Sequence, residues 1–472
     1  MFSINRQFRP IPKVIGRVGN RRRSSTALSS TPSGPAGPVE PLGPSTRVYF
    51  KPFRAEISAS PGSSSTVTFS SPLEYSSDLQ ALVVYTHDTI GSDGKGAAIS
   101  AGLTDLTNNY SVDVIEERNA NPKTVASMYN ESLIHLQDAS TSSTKAKGSY
   151  ASHNASGFDI AWDTQPTGTG VVATIDGFAI CGQGVGVDVV SHYHNGSTLN
   201  FSSTMDFPGV TSVDAAFIFS LGDASSTGHR VPMHGHFGTA VFAGSDSFSL
   251  LTKSDGTGSR VQSAEAHFDD DTIAGDTLSG SNRAINRIRG ANTGTGITLT
   301  NREAMGTVQG FRFIGLALQT TAAVELQSRH FHETDTVLTP TTAMPDVNFV
   351  YAIGGFDGVS TISNYTNQRT QVAGQHHFIG GGVIGEGSFG YKQVQSSNQV
   401  TCTNTFHKVS DLNSSAVVVA ASNNGAFSGS VDADQEMYVT SVDPVTGEMS
   451  LFTMGSKNYY HKTGVLLIEE VS

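Results

Sequence analysis

The sequence predicts an all-β chain of three tandem β-sandwich (jelly-roll-like) domains behind an extended N-terminal arm. Three observations carry this. First, short apolar runs led by an aspartate recur at nearly constant spacing. Asp78 precedes Ala81–Tyr85, Asp214 precedes Phe217–Phe219 and Asp346 precedes Phe349–Ile353, with steps of 136 and 132 residues. Second, each unit then repeats two further runs. One is Phe158–Trp162, Ile297–Thr300 and Met437–Thr440; the other, closing run is Val171–Ile180, Phe311–Leu318 and Gly464–Ile468. Third, helical periodicity is nearly absent: short Val/Ile/Phe/Tyr runs alternate with Gly, Ser, Asn and Asp clusters, which is strand-and-turn chemistry. A period near 130 residues is too long for a solenoid repeat and is the size of a whole domain.

The chain divides accordingly. Residues 1–46 read as a basic arm and Pro/Gly linker, 47–182 as repeat 1, 183–320 as repeat 2 and 321–472 as repeat 3. The arm carries Arg6, Arg9, Lys13, Arg17, Arg21, Arg22 and Arg23 and no acidic residue up to Val39. It is therefore +7, and the rest of the chain, whose total is −12, is −19. Pro10 and Pro12 disfavour a continuous helix there, and Pro32, Pro35, Pro38, Pro41 and Pro44 mark an extended spacer. The arm is too short and too polar to bury a core of its own, so order in it has to come from a partner. Repeat 1 opens with Val48-Tyr49-Phe50, repeat 2 with Val187–Val190 and repeat 3 with Val324-Glu325-Leu326. Each offers about eight to ten candidate strands, which suits a two-sheet sandwich. The short junctions, such as Gly182-Gln183-Gly184, predict that neighbouring units pack together. One helical pattern stands out, Thr124–Gln137, where Val125, Met128, Tyr129, Leu133 and Leu136 fit one helix face. Each leading aspartate is expected in a turn, bonding its own downstream backbone.

Composition excludes several classes. Charged residues are only 15%, against roughly 25% in ordinary globular proteins. Cys181 and Cys402 lie in different repeats, so no disulfide framework is expected and both read as buried thiols. No run of about 18 apolar residues predicts a membrane helix, and the N-terminus has no apolar h-region of a secretory signal.

Candidate chemistry is sparse. Histidine pairs occur at His192/His194, His234/His236, His330/His332 and His376/His377. On a strand, residues i and i+2 share a face, so a His-x-His can present two metal ligands. His234 and His236 are the candidate pair, in Pro232–Phe237. No zinc-finger spacing and no HExxH accompany any pair, and solvated or interface histidines are the default; no metal and no cofactor are expected. Asp269-Asp270-Asp271 offers hard oxygen ligands but lacks the EF-hand pattern. Gly182–Gly186 and Gly380–Gly382 lack the Lys-Ser/Thr ending of a phosphate loop and read as bulges, turns or close backbone approach. No GxSxG elbow is present, and the single tryptophan, Trp162, weighs against a sugar-binding groove. No catalytic residue is assigned.

The repeated unit resembles a β domain of tailed-phage virion proteins, in which a Pro-Asp turn leads into an apolar strand and a Gly-Phe-x-x-x-Trp-like strand precedes the closing strand. Met344-Pro345-Asp346 and Gly157-Phe158-Asp159-Ile160-Ala161-Trp162 carry the likeness; Thr300 and Thr440 replace the aromatic in the other repeats. The resemblance implies a non-enzymatic virion component: tail, fibre, adaptor or capsid decoration. The arm is then an assembly arm, in which Arg6, Arg9, Arg17, Arg21, Arg22 and Arg23 make charge-assisted bonds to other virion proteins. Phe2, Ile4 and Phe8 fill apolar pockets. Association between copies of the chain is expected and a membrane is not. Competing readings of the arm are nucleic-acid binding, a mitochondrial presequence and a solvated tail. For the whole chain the alternatives are a host-recognition or glycan-binding module and a metal-dependent enzyme.

Overall fold

A computed structural model describes residues 47–88, 96–117, 124–137, 143–168, 170–195, 198–222, 230–231, 236–255, 262–268, 272–277, 284–302, 310–332, 334–356, 376–398, 401–408, 416–424, 431–454 and 461–471. Among the described residues, all regular structure except one 3-10 turn is β. The first unit runs β1 (Tyr49–Ser58), β2 (Ser64–Thr68), β3 (Leu79–Asp88), β4 (Gly96–Thr104), β5 (Asn109–Glu117), β6 (Thr124–Asn130), β7 (Ile134–Gln137), β8 (Thr144–Asn154), β9 (Gly157–Thr164) and β10 (Val171–Cys181). The second runs β11 (Val185–His194), β12 (Ser202–Asp206), β13 (Ala215–Gly222), β14 (Arg230–Val231), β15 (His236–Ala243), β16 (Asp246–Asp255), β17 (Gln262–Phe268), β18 (Thr272–Thr277), β19 (Ala284–Asn292), β20 (Gly296–Asn301) and β21 (Phe311–Thr320). The third runs β22 (Val324–Phe331), β23 (Val337–Leu338), β24 (Val347–Phe356), β25 (His376–Val383), β26 (Gly387–Asn398), β27 (Thr401–Lys408), β28 (Ala416–Asn424), β29 (Val431–Val442), β30 (Met449–Met454) and β31 (His461–Glu469).

One topology is used three times. The large sheets are ordered β1-β10-β3-β4-β5-β6-β14, whose last, two-residue strand comes from the second unit, and, with six strands each, β11-β21-β13-β15-β16-β17 and β22-β31-β24-β25-β26-β27. The four-stranded sheets are β2-β9-β8-β7, β12-β20-β19-β18 and β23-β30-β29-β28. Each closing strand pairs antiparallel with the opening strand and the Asp-led strand of its own unit. Met437–Thr440 corrects the sequence alignment: it lies in β29, the third strand of its four-stranded sheet, whereas Phe158–Trp162 and Ile297–Thr300 occupy the second, which β30 fills in the last unit. Both strands are apolar and close to the C-terminus, so a period alone could not separate them.

The expected helix over Thr124–Gln137 is two strands, β6 and β7. Glu131 between them takes a left-handed φ of 67°, and Ser132 is buried with its hydroxyl 2.9 Å from that of Ser111. Met128 faces one core while Leu133 and Leu136 face another, a division that no helix face could make.

The three large sheets are buried on both sides. Leu82 and Val84 face the first unit's own sandwich core, and Ala81, Val83 and Tyr85 face a second core shared by all three units. In the second unit Ala216 and Ile218 face inward while Ala215, Phe217 and Phe219 reach the shared core; in the third, Val350 and Ala352 oppose Phe349, Tyr351 and Ile353. This is why the Asp-led strands read as continuous apolar runs rather than alternating ones. Residues 44–472 accordingly form one compact unit.

The units close a ring. Strands β4 and β5 pack on β11 and β21, β15 and β16 pack on β22, and β25 and β26 pack on β1. Two of the junctions are covalent, through Gly182–Gly184 and through residues 321–323. Gly182 sits at φ +113°, and a Cβ there would stand 1.9 Å from the Arg47 carbonyl oxygen. The third junction, between the last and first units, is non-covalent and has its own fastenings. Val48 and Val471 exchange two backbone hydrogen bonds of 2.9 Å. Phe50 stacks on Phe349 at 4.0 Å, and the Tyr85 and Tyr351 hydroxyls meet at 2.7 Å in the core. Lys51 pairs with Glu386, whose carboxylate also accepts from Ser70 (2.8 Å) and Ser71 (3.2 Å). Replacing Glu386 by Gln keeps the shape and removes the charge-assisted bonds. It is expected to lower unfolding free energy by about 1–3 kcal/mol, measured as a shift in the urea midpoint at constant slope.

Candidate functional site

The sequence-assigned arm residues Phe2, Ile4, Arg6, Phe8, Arg9, Arg17, Arg21, Arg22 and Arg23 lie outside the described residues, as do His234 and the Asp269–Asp271 triplet. His236 opens β15, its backbone paired with Lys253. Among the described residues, no three His, Cys, Asp or Glu side chains gather where they could hold a metal ion, and no helix is long and apolar enough to cross a membrane. Trp162 is 9% exposed and donates to Ser65 Oγ at 2.8 Å, so it packs in the first sandwich and is no platform for a sugar. Cys181 is a free, buried thiol whose pKa burial pushes well up.

The side chains of Asp78 and Asp214 bond to other segments rather than to their own downstream backbone. Asp78 Oδ2 accepts from the Tyr49 hydroxyl at 2.8 Å. Asp214 Oδ2 accepts from the Thr320 amide (2.8 Å) and the Ser212 hydroxyl (3.1 Å). In the first two units the aspartate is thus a structural anchor, tying the start of the Asp-led strand to β1, two strands away, in the first and to the adjacent β21 in the second.

The most organised polar cluster joins the two sheets of the second unit. His192 and His194 point to one side of β11, as i and i+2 residues must. Both reach Ser203 Oγ on β12: His192 Nε2 at 2.8 Å and His194 Nδ1 at 2.7 Å. His194 Nε2 lies 2.8 Å from Asn301 Oδ1 on β20. The Asn301 amide nitrogen donates to the carbonyls of Thr198 (2.8 Å) and Asn195 (3.4 Å), which turns its oxygen toward the imidazole. His194 Nε2 must then carry the proton, leaving Nδ1 as a lone pair that accepts from Ser203, while His192 Nε2 donates to the same oxygen. The string is directed throughout: His192, Ser203, His194, Asn301, backbone. His194 and Asn301 are fully buried; His192 and Ser203 are partly exposed. Burial drives the His194 pKa down to about 4 and that of His192 down as well, the latter countered by Asp206. A serine, a histidine and an orienting amide suggest a nucleophile, but an imidazole held near 4 is a weak base at neutral pH.

A second buried cluster lies inside the first sandwich. Asp113 on β5 is fully buried, and His135 Nδ1 on β7 stands 3.6 Å from its Oδ2, too far for a hydrogen bond but near enough to attract it. Burial raises the Asp113 pKa to about 6, and His135 is the first of the groups opposing that rise. The His135 ring stacks on Tyr129 at 3.5 Å. Nothing in the sequence singled out Asp113, a lone aspartate in a strand that alternates polar and apolar residues.

These clusters do not recur around the ring. By strand register, the positions of His192 and His194 are held by Ala55 and Ile57 in the first unit and by Arg329 and Phe331 in the third. No family model, curated protein or solved structure matches this chain.

Proposed function

We propose that this chain is a structural, non-catalytic component of a tailed-phage virion, held to the particle by its basic N-terminal arm, with the three-unit ring as the rigid body it displays. The observation that carries the reading is what the repetition repeats. All three units contribute the same strand positions to one shared apolar core, while their polar clusters differ. A scaffold is repeated and an active site is not. A fused ring also has no subunit equilibrium: two of its three interfaces are held at the effective concentration of a short covalent link, which suits a part that must stay assembled at low copy number.

The arm supplies attachment in this reading. Its seven positive charges face a chain that is otherwise −19, so an acidic patch on a neighbouring subunit or a second copy of the body is the complementary surface. Deleting residues 1–30 is expected to leave a folded body, judged by an unchanged β-type circular dichroism spectrum and thermal transition, and to abolish incorporation into particles. Normal incorporation of the folded, truncated protein would end the proposal.

A further inference from the structure

The histidine pair that the fold organises is His192/His194, and we infer that with Ser203 it forms a binding site for one borderline divalent cation of the zinc class, which would staple the two sheets of the second unit together. The two ring nitrogens converge on one point, now taken by Ser203 Oγ at 2.8 and 2.7 Å. Zinc–nitrogen bonds of about 2.1 Å put adjacent ligands about 3 to 3.4 Å apart, so each nitrogen has to part from Ser203 Oγ by only a few tenths of an ångström for an ion to enter between them. Water from the partly exposed side completes the four ligands.

The surroundings match what imidazole–metal sites require. A ligating histidine normally donates its other N–H to an oxygen that fixes its tautomer and heading. His194 does this to Asn301 Oδ1 at 2.8 Å, and Asn301 is itself locked by two backbone carbonyls. The lone pair of His194 Nδ1 already faces the convergence point. His192 Nε2, which donates to Ser203 in the hydrogen-bonded string, takes up the other tautomer, with its proton on Nδ1, when it ligates. The three ligands are neutral, and Asp206 on β12, which acts on His192 through its charge, supplies compensating negative charge. The two imidazole donors favour zinc, copper and nickel over calcium or magnesium. The site belongs to the second unit alone, since Ala55/Ile57 and Arg329/Phe331 stand at the matching positions.

The test uses the full chain freed of metal by a chelator and titrated with Zn²⁺ alone. Other histidines will take up zinc, so the readout is the difference between wild type and variants. His192 and Ser203 are partly exposed and are the residues to change; circular dichroism confirms that His192→Ala and Ser203→Ala remain folded. Wild type is expected to bind one more equivalent than His192→Ala, or to bind the tightest equivalent at least about tenfold more strongly, and zinc should raise its melting temperature but not that of the variant. Ser203→Ala should weaken the same equivalent less, because water can replace the hydroxyl. With Cu²⁺ as probe, that equivalent should show electron-paramagnetic coupling to two nitrogens in wild type and to one in His192→Ala. Zinc stoichiometry and affinity unchanged in His192→Ala, or no uptake by wild type at micromolar zinc, would overturn the site.

Discussion

Replacing Phe178 by Ala is expected to destabilise all three units at once, by about 3–5 kcal/mol. Phe178 is fully buried on β10, on the face of its sheet turned to the shared core. Its ring lies 6.3 Å from Phe50 in its own unit and 5.4 Å from Phe217 in the second. In the third unit it lies 4.8 Å from both Phe349 and Phe389 and 5.9 Å from Tyr351. Aromatic pairs at these separations add about 0.5–1.5 kcal/mol apiece beyond burial and are not additive, so the upper part of the range applies. The diagnostic is the shape of the loss. Trp162, the only tryptophan, sits in the first unit's private core and reports that unit by fluorescence. Far-ultraviolet circular dichroism reports all three. If the shared core makes the ring one cooperative body, both probes trace one transition in wild type and in the variant, displaced together. A fluorescence transition that moves while the dichroism stays would mean that the first unit unfolds alone and the shared core couples nothing.

The shared core also explains which parts of the fold were legible in the sequence. Ala81–Tyr85, Phe217–Phe219 and Phe349–Ile353 announce strands through β-branched and aromatic composition, and their recurrence announces a threefold repeat. The same runs hide the ring, because an apolar residue at every position does not say which side faces which core. The false helix at Thr124–Gln137 arose in the same way. Val125, Met128, Tyr129, Leu133 and Leu136 fit one helix face, yet Met128 lies in β6 of the large sheet and Leu136 in β7 of the four-stranded one, and the residue that takes the left-handed bend between these strands is Glu131, not a glycine. For the histidine cluster, the His-x-His spacing on a strand was readable, but it did not distinguish His192/His194 from His234/His236. What distinguishes the former is Ser203 on the next strand and Asn301 about a hundred residues further on, and sequence separation of that size carries no local signal. Asp113 was invisible for the opposite reason: a buried carboxylate looks in sequence like any polar residue of an alternating strand.

Acid should destabilise the body between about pH 6.5 and pH 3, with Asp113 acting in the opposite sense. His461, buried at the start of β31, has its pKa pushed from 6.5 to about 3 by burial first and then by His332; His194 is pushed to about 4. Both remain neutral in the fold while the unfolded chain takes up protons near 6.5. Their stabilisation is therefore complete above 6.5 and is lost as pH falls through 6.5 toward 4 and 3. At about 1.4 kcal/mol per pKa unit the two are worth on the order of 3–5 kcal/mol each at full loss. Asp113 is raised from 3.8 to about 6, so its contribution is complete below 3.8 and is lost as pH rises through 6. At pH 8 the fold thus holds a fully buried ionised carboxylate that burial disfavours more than His135 and Gln137 favour it, a costly state for a buried charge. Asp113→Asn removes that charge at nearly constant volume. It is expected to leave stability unchanged at pH 4 and to raise it at pH 8 by about 3 kcal/mol, and so to steepen the fall in stability from neutral to acid. Urea unfolding of wild type and Asp113→Asn at pH 4, 6 and 8 separates the terms. A variant less stable than wild type at pH 8 would mean that attraction to His135 outweighs desolvation of the carboxylate, and the sign assigned to this buried pair would be reversed.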